Sequence, residues 1–373
     1  MIQLFKPYVS EEAISAVVDA LRSGWIGLGP KTAEFERSFA EYVGAKYAVG
    51  VNSATAALHL ATVVSGIGPG DEVLTTSLTF VSTNHVILYQ QANPVFVDVS
   101  DATLNIDLKK AEELISPQTR AIMVVHYGGN PLNMDELYSF AARHSLAVIE
   151  DAAHACGSTF HGKRIGSFGL TCFSFHAVKN VPLGDGGMVT TNDAKIYERL
   201  QRLRWMGIDR STFDRSVGNY QWEYDVKEIG FKYHMNDIQA AMGVALLKGL
   251  DEWNERRRKI TNIYRESLAD LPPSKIRFVE ETPFAVSARH LCAIRVPRRN
   301  HVVEALKERG IGVGVHYKPN HMYPCYRDAR KGDLSVTENA YQELISLPLH
   351  LFLTDDDVHT VCRELRTILN ASV

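Results

Sequence analysis

Between about residues 45 and 190 the chain alternates short apolar runs with stretches whose apolar positions recur at helical spacing. Ala48-Val49-Gly50-Val51, Glu72-Val73-Leu74-Thr75, Pro94 to Val97, Ala121 to Val125, Ala147 to Ile149, Thr171 to Phe175 and Gly187 to Thr190 predict strands. Thr55 to Val64, Phe80 to Gln90 and Asp135 to His144 predict helices between them. Strands apolar at nearly every position are buried on both faces, which implies a mainly parallel sheet covered by helices. Asn236 to Leu268 reads as a long helical stretch, with Gly243 and Gly249 as candidate breaks. The rhythm then resets: strand at Leu291 to Val296, helix at Val302 to Arg309, strand at Val313-Gly314-Val315, helix from Asp355 to Leu369. The expectation is an α/β protein with a large, mainly parallel sheet domain at residues 1–254 and a smaller C-terminal α/β domain at 255–373.

Composition changes this picture only by exclusion. Hydrophobic residues at 45% and charged residues at 22% of 373 positions are ordinary for a globular chain. A net charge of −3, without basic clusters alternating with aromatics, gives no case for nucleic acid. The run Arg256-Arg257-Arg258-Lys259 reads as a solvated helix face. Cys156, Cys172, Cys292, Cys325 and Cys362 are odd in number and lack CxxC spacing, so free thiols are expected, with neither a disulfide framework nor a metal site. The N-terminus lacks a signal-peptide core, and no stretch approaches the roughly 18 apolar residues of a membrane span. A cytoplasmic location is expected.

In such a sheet, ligands gather at the carboxyl ends of the strands, and the unusual polar residues fall there. Ser53-Ala54-Thr55 sits at a strand-to-helix turn, where unpaired amides and the helix dipole make a phosphate cradle. The same residues would equally make an ordinary helix cap. Glycine-rich dinucleotide and triphosphate motifs are absent after every strand. Asp151 ends an apolar strand, and a buried carboxylate there needs a cationic partner or a helix to cap. His154 lies one turn on, and Phe80 follows Thr79 where a ring could cover a flat heteroaromatic. Strand alternation puts Ser174 on the side of Cys172 and His176. Lys179 follows that strand and precedes the turn Gly184-Asp185-Gly186-Gly187; a desolvated amine in such a place is a natural carbonyl nucleophile. Cradle, strand-end aspartate and lysine together ask for an aldehyde carrying a phosphate and a pyridine nitrogen, which describes pyridoxal 5′-phosphate.

These segments resemble the sugar aminotransferases of the DegT/DnrJ/EryC1/StrS family, which have the type I fold of pyridoxal-phosphate enzymes. The likeness runs over nearly the whole length. It includes Ser23 to Pro30, Asn52 to Leu60, Gly68 to Val73, Val125-His126-Tyr127-Gly128-Gly129, Glu150 to Ala155, the lysine segment, Gly230 to Met235 and Gly314-Val315-His316-Tyr317-Lys318-Pro319 with His321 and Pro324. The resemblance implies that Lys179 is the Schiff-base lysine and proton shuttle, that Asp151 pairs the pyridine nitrogen, and that Phe80 stacks on the ring. It gives Ser53, Ala54, Thr55 and Ser174 to the phosphate, and places His154 beside the cofactor. Lys232 would reach the phosphate of a neighbouring subunit, which implies a homodimer with shared sites. His316 and His321 would line the sugar pocket. L-Glutamate would donate the amino group to a nucleotide-linked keto-sugar. The Asp-Ala-Ala-His sequence, where relatives acting at C3 more often carry glutamine, favours a 4-keto substrate. A 3-keto sugar, a cyclitol, or dehydration in place of amino transfer are the alternatives; dehydratases of this kind replace the lysine with histidine, so Lys179 argues against the last. Asp185 and His234 depart from the usual family residues without removing a catalytic group.

Overall fold

The computed structural model describes residues 1–209 and 222–371. Its centre is a seven-stranded sheet of β1 (Tyr47–Val51), β2 (Glu72–Thr76), β3 (Asn93–Val97), β4 (Thr119–Val125), β5 (Ala147–Asp151), β8 (Leu170–Ser174) and β9 (Gly187–Thr191). The short pairs β6 (Thr159–Phe160) and β7 (Lys163–Arg164) interrupt this series and form a separate small sheet with β11 (Ala285–Val286). The strand order is β1-β9-β8-β5-β4-β2-β3, with β9 antiparallel to both neighbours and the remaining pairs parallel. The mainly parallel α/β sheet read from the apolar runs is therefore what forms.

Register decides where the chemistry collects. Asp151 pairs with Val125 and Cys172, while Ser174 and Val51 both lie opposite Gly187. One edge of the sheet thus carries the ends of β1, β5 and β8 together with the start of the reversed strand β9. Alternation along β8 sends Phe173 and Phe175 to one face, where they pack with Phe35 and Phe39 of the helix Pro30–Val43 at ring separations of 5.0 to 5.5 Å. Cys172 packs on the other face with Leu58 and Leu60 of the helix Ala54–Val64. Each fully buried side chain of this size contributes about 1.5–3 kcal/mol, which fixes β8 between two layers.

A second sheet, β10 (Arg277–Phe278), β12 (Cys292–Arg295) and β13 (Leu344–Leu347), is antiparallel in the order β10-β12-β13. Ile260 and Tyr264 of the helix Leu250–Ser267, Leu306 of Arg299–Glu308 and Leu365 of Asp355–Ala371 build a core around Ile294 and Ile345. The helix Leu250–Ser267 serves both cores, with Leu250 in the large-sheet cluster and Ile260 in the other. The N-terminal segment also crosses over: Ile2 bridges Ile311.

Three sequence readings change. The long helical stretch breaks near Gly249 between the helices Asp237–Leu247 and Leu250–Ser267, whereas Gly243 stays inside the first, its lack of a Cβ making room for the ring of Phe35. Val313 to Val315 makes only one bridge, Gly314 to Ser346, and the Leu4 side chain lies 2.7 Å from where a Cβ at Gly314 would be. Arg257 is not on a solvated face: it is buried and donates to the Leu349 carbonyl, while Arg256 pairs with Asp355. The five cysteines are unpaired, four of them buried. Among the described residues no helix is long and apolar enough to cross a membrane.

Candidate active site

The helix Ala54–Val64 starts where β1 ends, and Ser53 caps it by accepting from the Ala56 N–H at 3.1 Å. Thr55 shares a 2.8 Å hydrogen bond with Ser82, leaving the first amides of the helix as donors at the sheet edge. Gly187 sits so close that a Cβ would lie 2.5 Å from the Ser53 carbonyl oxygen and 2.8 Å from the Ala54 nitrogen. Only glycine lets the start of β9 close against this helix end.

Asp151 is 5% exposed. Its Oδ2 accepts from Thr83 Oγ1 at 2.8 Å and its Oδ1 from the Ala153 N–H at 3.0 Å. Burial pushes its carboxyl up, opposed by those two hydrogen bonds and by Lys179 and His126. Thr83 is held in turn by Thr79 at 2.8 Å. The carboxylate is oriented by neutral donors and, among the described residues, no cation pairs with it, which suits it to a protonated ring nitrogen.

Lys179 follows β8 in a turn closed by its own N–H to the His176 carbonyl and by Ala177 N–H to the Gly184 carbonyl. Its residual exposure faces a cavity of about 380 Å³. Burial lowers its amine from 10.5 to about 8, with Asp151 pulling the other way. His290 Nε2 lies 3.4 Å from its Nζ.

Ser53, Ala54, Thr55, Phe80, Asp151, His154, Ser174, Lys179 and His316 all line this cavity. Phe80 precedes the helix Val81–Tyr89 and is 57% exposed, a bare aromatic ring at the mouth. His154 Nδ1 accepts from the Gly128 N–H at 3.3 Å, so its Nε2–H donates to Tyr317 Oη at 3.0 Å. Burial, with Lys179 and His316 beside it, holds His154 well below the usual histidine range, so the ring is neutral. Burial likewise lowers His316 to about 4, and its Nδ1 lies 2.9 Å from Ser346 Oγ.

His321, expected in the sugar pocket, lies elsewhere, and Lys232, expected at a neighbouring subunit's phosphate, is outside this chain's cavity. His321 is turned from the cavity, with Nδ1 on Ser77 and Nε2 on Glu338. Lys232 does not line its own chain's cavity: its Nζ sits 3.6 Å from the Trp205 ring centroid, and its carbonyl accepts from Asn52. Thr83, Tyr317 and His290 carry contacts that the sequence reading did not assign. Thr83 had a local signal, three residues past Phe80 on one helix face; His290 had none. His290 is delivered by the turn at Gly128 and Gly129, whose carbonyls accept from the N–H groups of His290 and Ala288. Gly129 adopts φ +94°, and a Cβ there would meet the His154 carbonyl at 2.7 Å.

A larger hollow of about 550 Å³, lined by Leu28, Pro30, Glu36, Arg204 and Trp205 among others, shares no residue with this one. The chemistry favours the smaller cavity, which joins a desolvated amine to a buried carboxylate at a helix N-terminus. Those three features fit pyridoxal phosphate: amine for its aldehyde, carboxylate for its ring nitrogen, amides for its phosphate.

Comparison with known proteins agrees. Residues 7–366 match the DegT/DnrJ/EryC1/StrS aminotransferase family, and the chain belongs to it. It is 40% identical to the spore coat polysaccharide biosynthesis protein SpsC of Bacillus subtilis, over 98% of this chain and 96% of that one. The sugar aminotransferase CalS13 of Micromonospora echinospora superposes with a TM-score of 0.91 at 33% identity, covering 98% of this chain and 100% of that one. Spr1654 of Streptococcus pneumoniae, in its PMP form, superposes with a TM-score of 0.94 at 31% identity over 100% of both chains. The protein is thus a sugar aminotransferase whose cofactor is pyridoxal phosphate.

Proposed function

We propose that this aminotransferase moves an amino group from L-glutamate to the keto carbon of a nucleotide-linked 4-keto sugar, giving a 4-amino-4-deoxy sugar nucleotide. The observation that carries the reading is the facing of Lys179 and Asp151 across one cavity, closed by the helix N-terminus at Ser53. When bound, pyridoxal phosphate supplies an aldehyde and an electron-withdrawing ring. Asp151 would hold the ring nitrogen, with Thr83 and the Ala153 N–H keeping the carboxylate aimed. Ser53, Ala54, Thr55 and Ser174 would hold the phosphate, and Phe80 and His154 the two sides of the ring.

Lys179 would carry the proton. With its amine near pH 8, a usable fraction of Nζ is unprotonated at neutral pH, and the conjugate acid is still strong enough to return the proton to carbon. His316 and Tyr317 would meet the sugar; His321 would support them indirectly, by holding Ser77 in the segment that leads to Phe80. Preference for the 4-keto carbon rests on the likeness of Asp151 to His154 to enzymes acting there.

Lys232, exposed and outside its own cavity, suits a contact with a second copy in a homodimer with shared sites. Ile229 nearby is 90% exposed, as an apolar subunit contact would be before assembly. We read residues 1–254 and 255–373 as two units that meet within the helix Leu250–Ser267, and the unpaired cysteines as those of a cytoplasmic protein. The last two residues of the second unit lie outside the described residues. Release of 2-oxoglutarate from L-glutamate with a panel of UDP-, dTDP- and GDP-linked 3-keto and 4-keto sugars tests the reading. Turnover only with 4-keto sugars is expected; turnover only with 3-keto sugars overturns the position assigned.

A further inference from the structure

The hydrogen bonds around His290 fix its chemistry. Asn180 Nδ2 donates to Asn254 Oδ1 at 2.7 Å and to the Ala288 carbonyl at 2.9 Å. That leaves Asn180 Oδ1, 3.2 Å from His290 Nδ1, as an acceptor only. His290 Nδ1 therefore carries the proton and donates it. Burial, with Lys179 and His154 adjacent, keeps the ring well below the usual histidine range and so neutral. In the neutral ring Nε2 has a bare lone pair, and it points at Lys179 Nζ, 3.4 Å away.

Two other rings pack against His290. Phe5 lies parallel to it, with centroids 5.5 Å apart and planes 4° apart, and His154 packs against it at 4.5 Å. Phe5 comes from the N-terminal segment and His290 from the approach to β12, while Asn180 directly follows Lys179. Two layers of the molecule are joined at one lysine.

We infer that His290 is a positioning residue for the reacting amine: its Nε2 accepts a hydrogen bond from Lys179 Nζ and so turns the nitrogen's lone pair toward the cavity. The inference rests on the reading of Lys179 as the reacting lysine. A primary amine has two N–H groups, and tethering one of them limits rotation about the last bond of a flexible chain. The charged and titratable groups facing Nζ are Asp151, His154, His290 and His316; those facing His290 are Lys179, His154, His316 and Arg257. A neutral acceptor among them stabilises the ammonium form more than the amine, so its removal moves the titration to lower pH.

The test follows capture of added pyridoxal phosphate by cofactor-free protein, read as absorbance against pH. In His290→Leu the midpoint should fall by about one pH unit and the plateau rate by about tenfold. His290→Gln, which restores an acceptor at similar reach, should recover most of both. His290→Asn, which can still bond Asn180 but not reach Nζ, should behave as His290→Leu and decides the matter should the leucine variant not fold. Midpoint and plateau unchanged in His290→Asn, while Lys179→Ala abolishes capture, overturns the inference and leaves the lysine reading intact. Capture retained in Lys179→Ala overturns the lysine reading itself.

Discussion

The cavity has two walls of different origin. The wall at the sheet edge carries Ser53, Asp151, Ser174 and Lys179, each at or just beyond the end of β1, β5 or β8. The facing wall carries His316 and Tyr317 from the loop beyond residue 312, and behind it His290, from the approach to the second sheet, reaches Lys179. The first wall is a consequence of local patterning and holds the charged groups. The second depends on docking through Gly128 and Gly129, and its groups are neutral at physiological pH. The difference suggests a division of labour in which the first wall retains the cofactor and moves protons, while the second meets the substrate and aims the amine.

The largest effect expected is on the first wall. Lys179→Ala should lower turnover by about ten-thousand-fold, measured as 2-oxoglutarate release. Asp151→Asn keeps shape and removes charge; a loss of about a hundred- to a thousand-fold in kcat is expected, with a circular-dichroism spectrum unchanged from wild type. A loss of less than fivefold would move Asp151 from the ring nitrogen to a capping role.

A stability measurement separates the walls without catalysis. The Lys179 amine falls from 10.5 to about 8 on folding, so the unfolded chain binds more protons between those values. Stability therefore rises with pH across that window, and protonated Lys179 costs the cofactor-free protein stability below it. Lys179→Met should stabilise that protein at pH 7 by about 2 kcal/mol in urea unfolding, the gain shrinking as pH climbs through 8 toward 10.5. The smallest effect belongs to the second wall. Tyr317→Phe should raise KM for the keto-sugar about tenfold and leave cofactor retention during dialysis unchanged. Loss of cofactor in that variant would erase the distinction between the walls.

The sequence made the first wall legible because each of its residues sits at a change of local pattern. Asp151 ends an apolar run, Ser53 stands between strand and helix, and Lys179 precedes a glycine-rich turn. Such changes are visible without knowing what packs on them. The second wall leaves no comparable trace. His290 is one histidine before an ordinary strand, and its meaning comes from Asn180, more than a hundred residues earlier. The Arg257 reading failed for a related reason: a run of four basic residues looks solvated, yet one position in each helical turn must face the core. His321 stood in a motif but outside the cavity, since a motif marks a segment and not the direction of its side chains. The family likeness filled part of the gap by naming the reaction; it did not supply the His290 contact.

The central claim is that Lys179 is the amine that reacts with the cofactor. Borohydride reduction of the cofactor-loaded protein, followed by digestion and mass spectrometry, tests it most directly. The account predicts a phosphopyridoxyl adduct on the peptide carrying Lys179 and on no other lysine peptide. An adduct confined to a different lysine, or none in protein that retains activity, would contradict it.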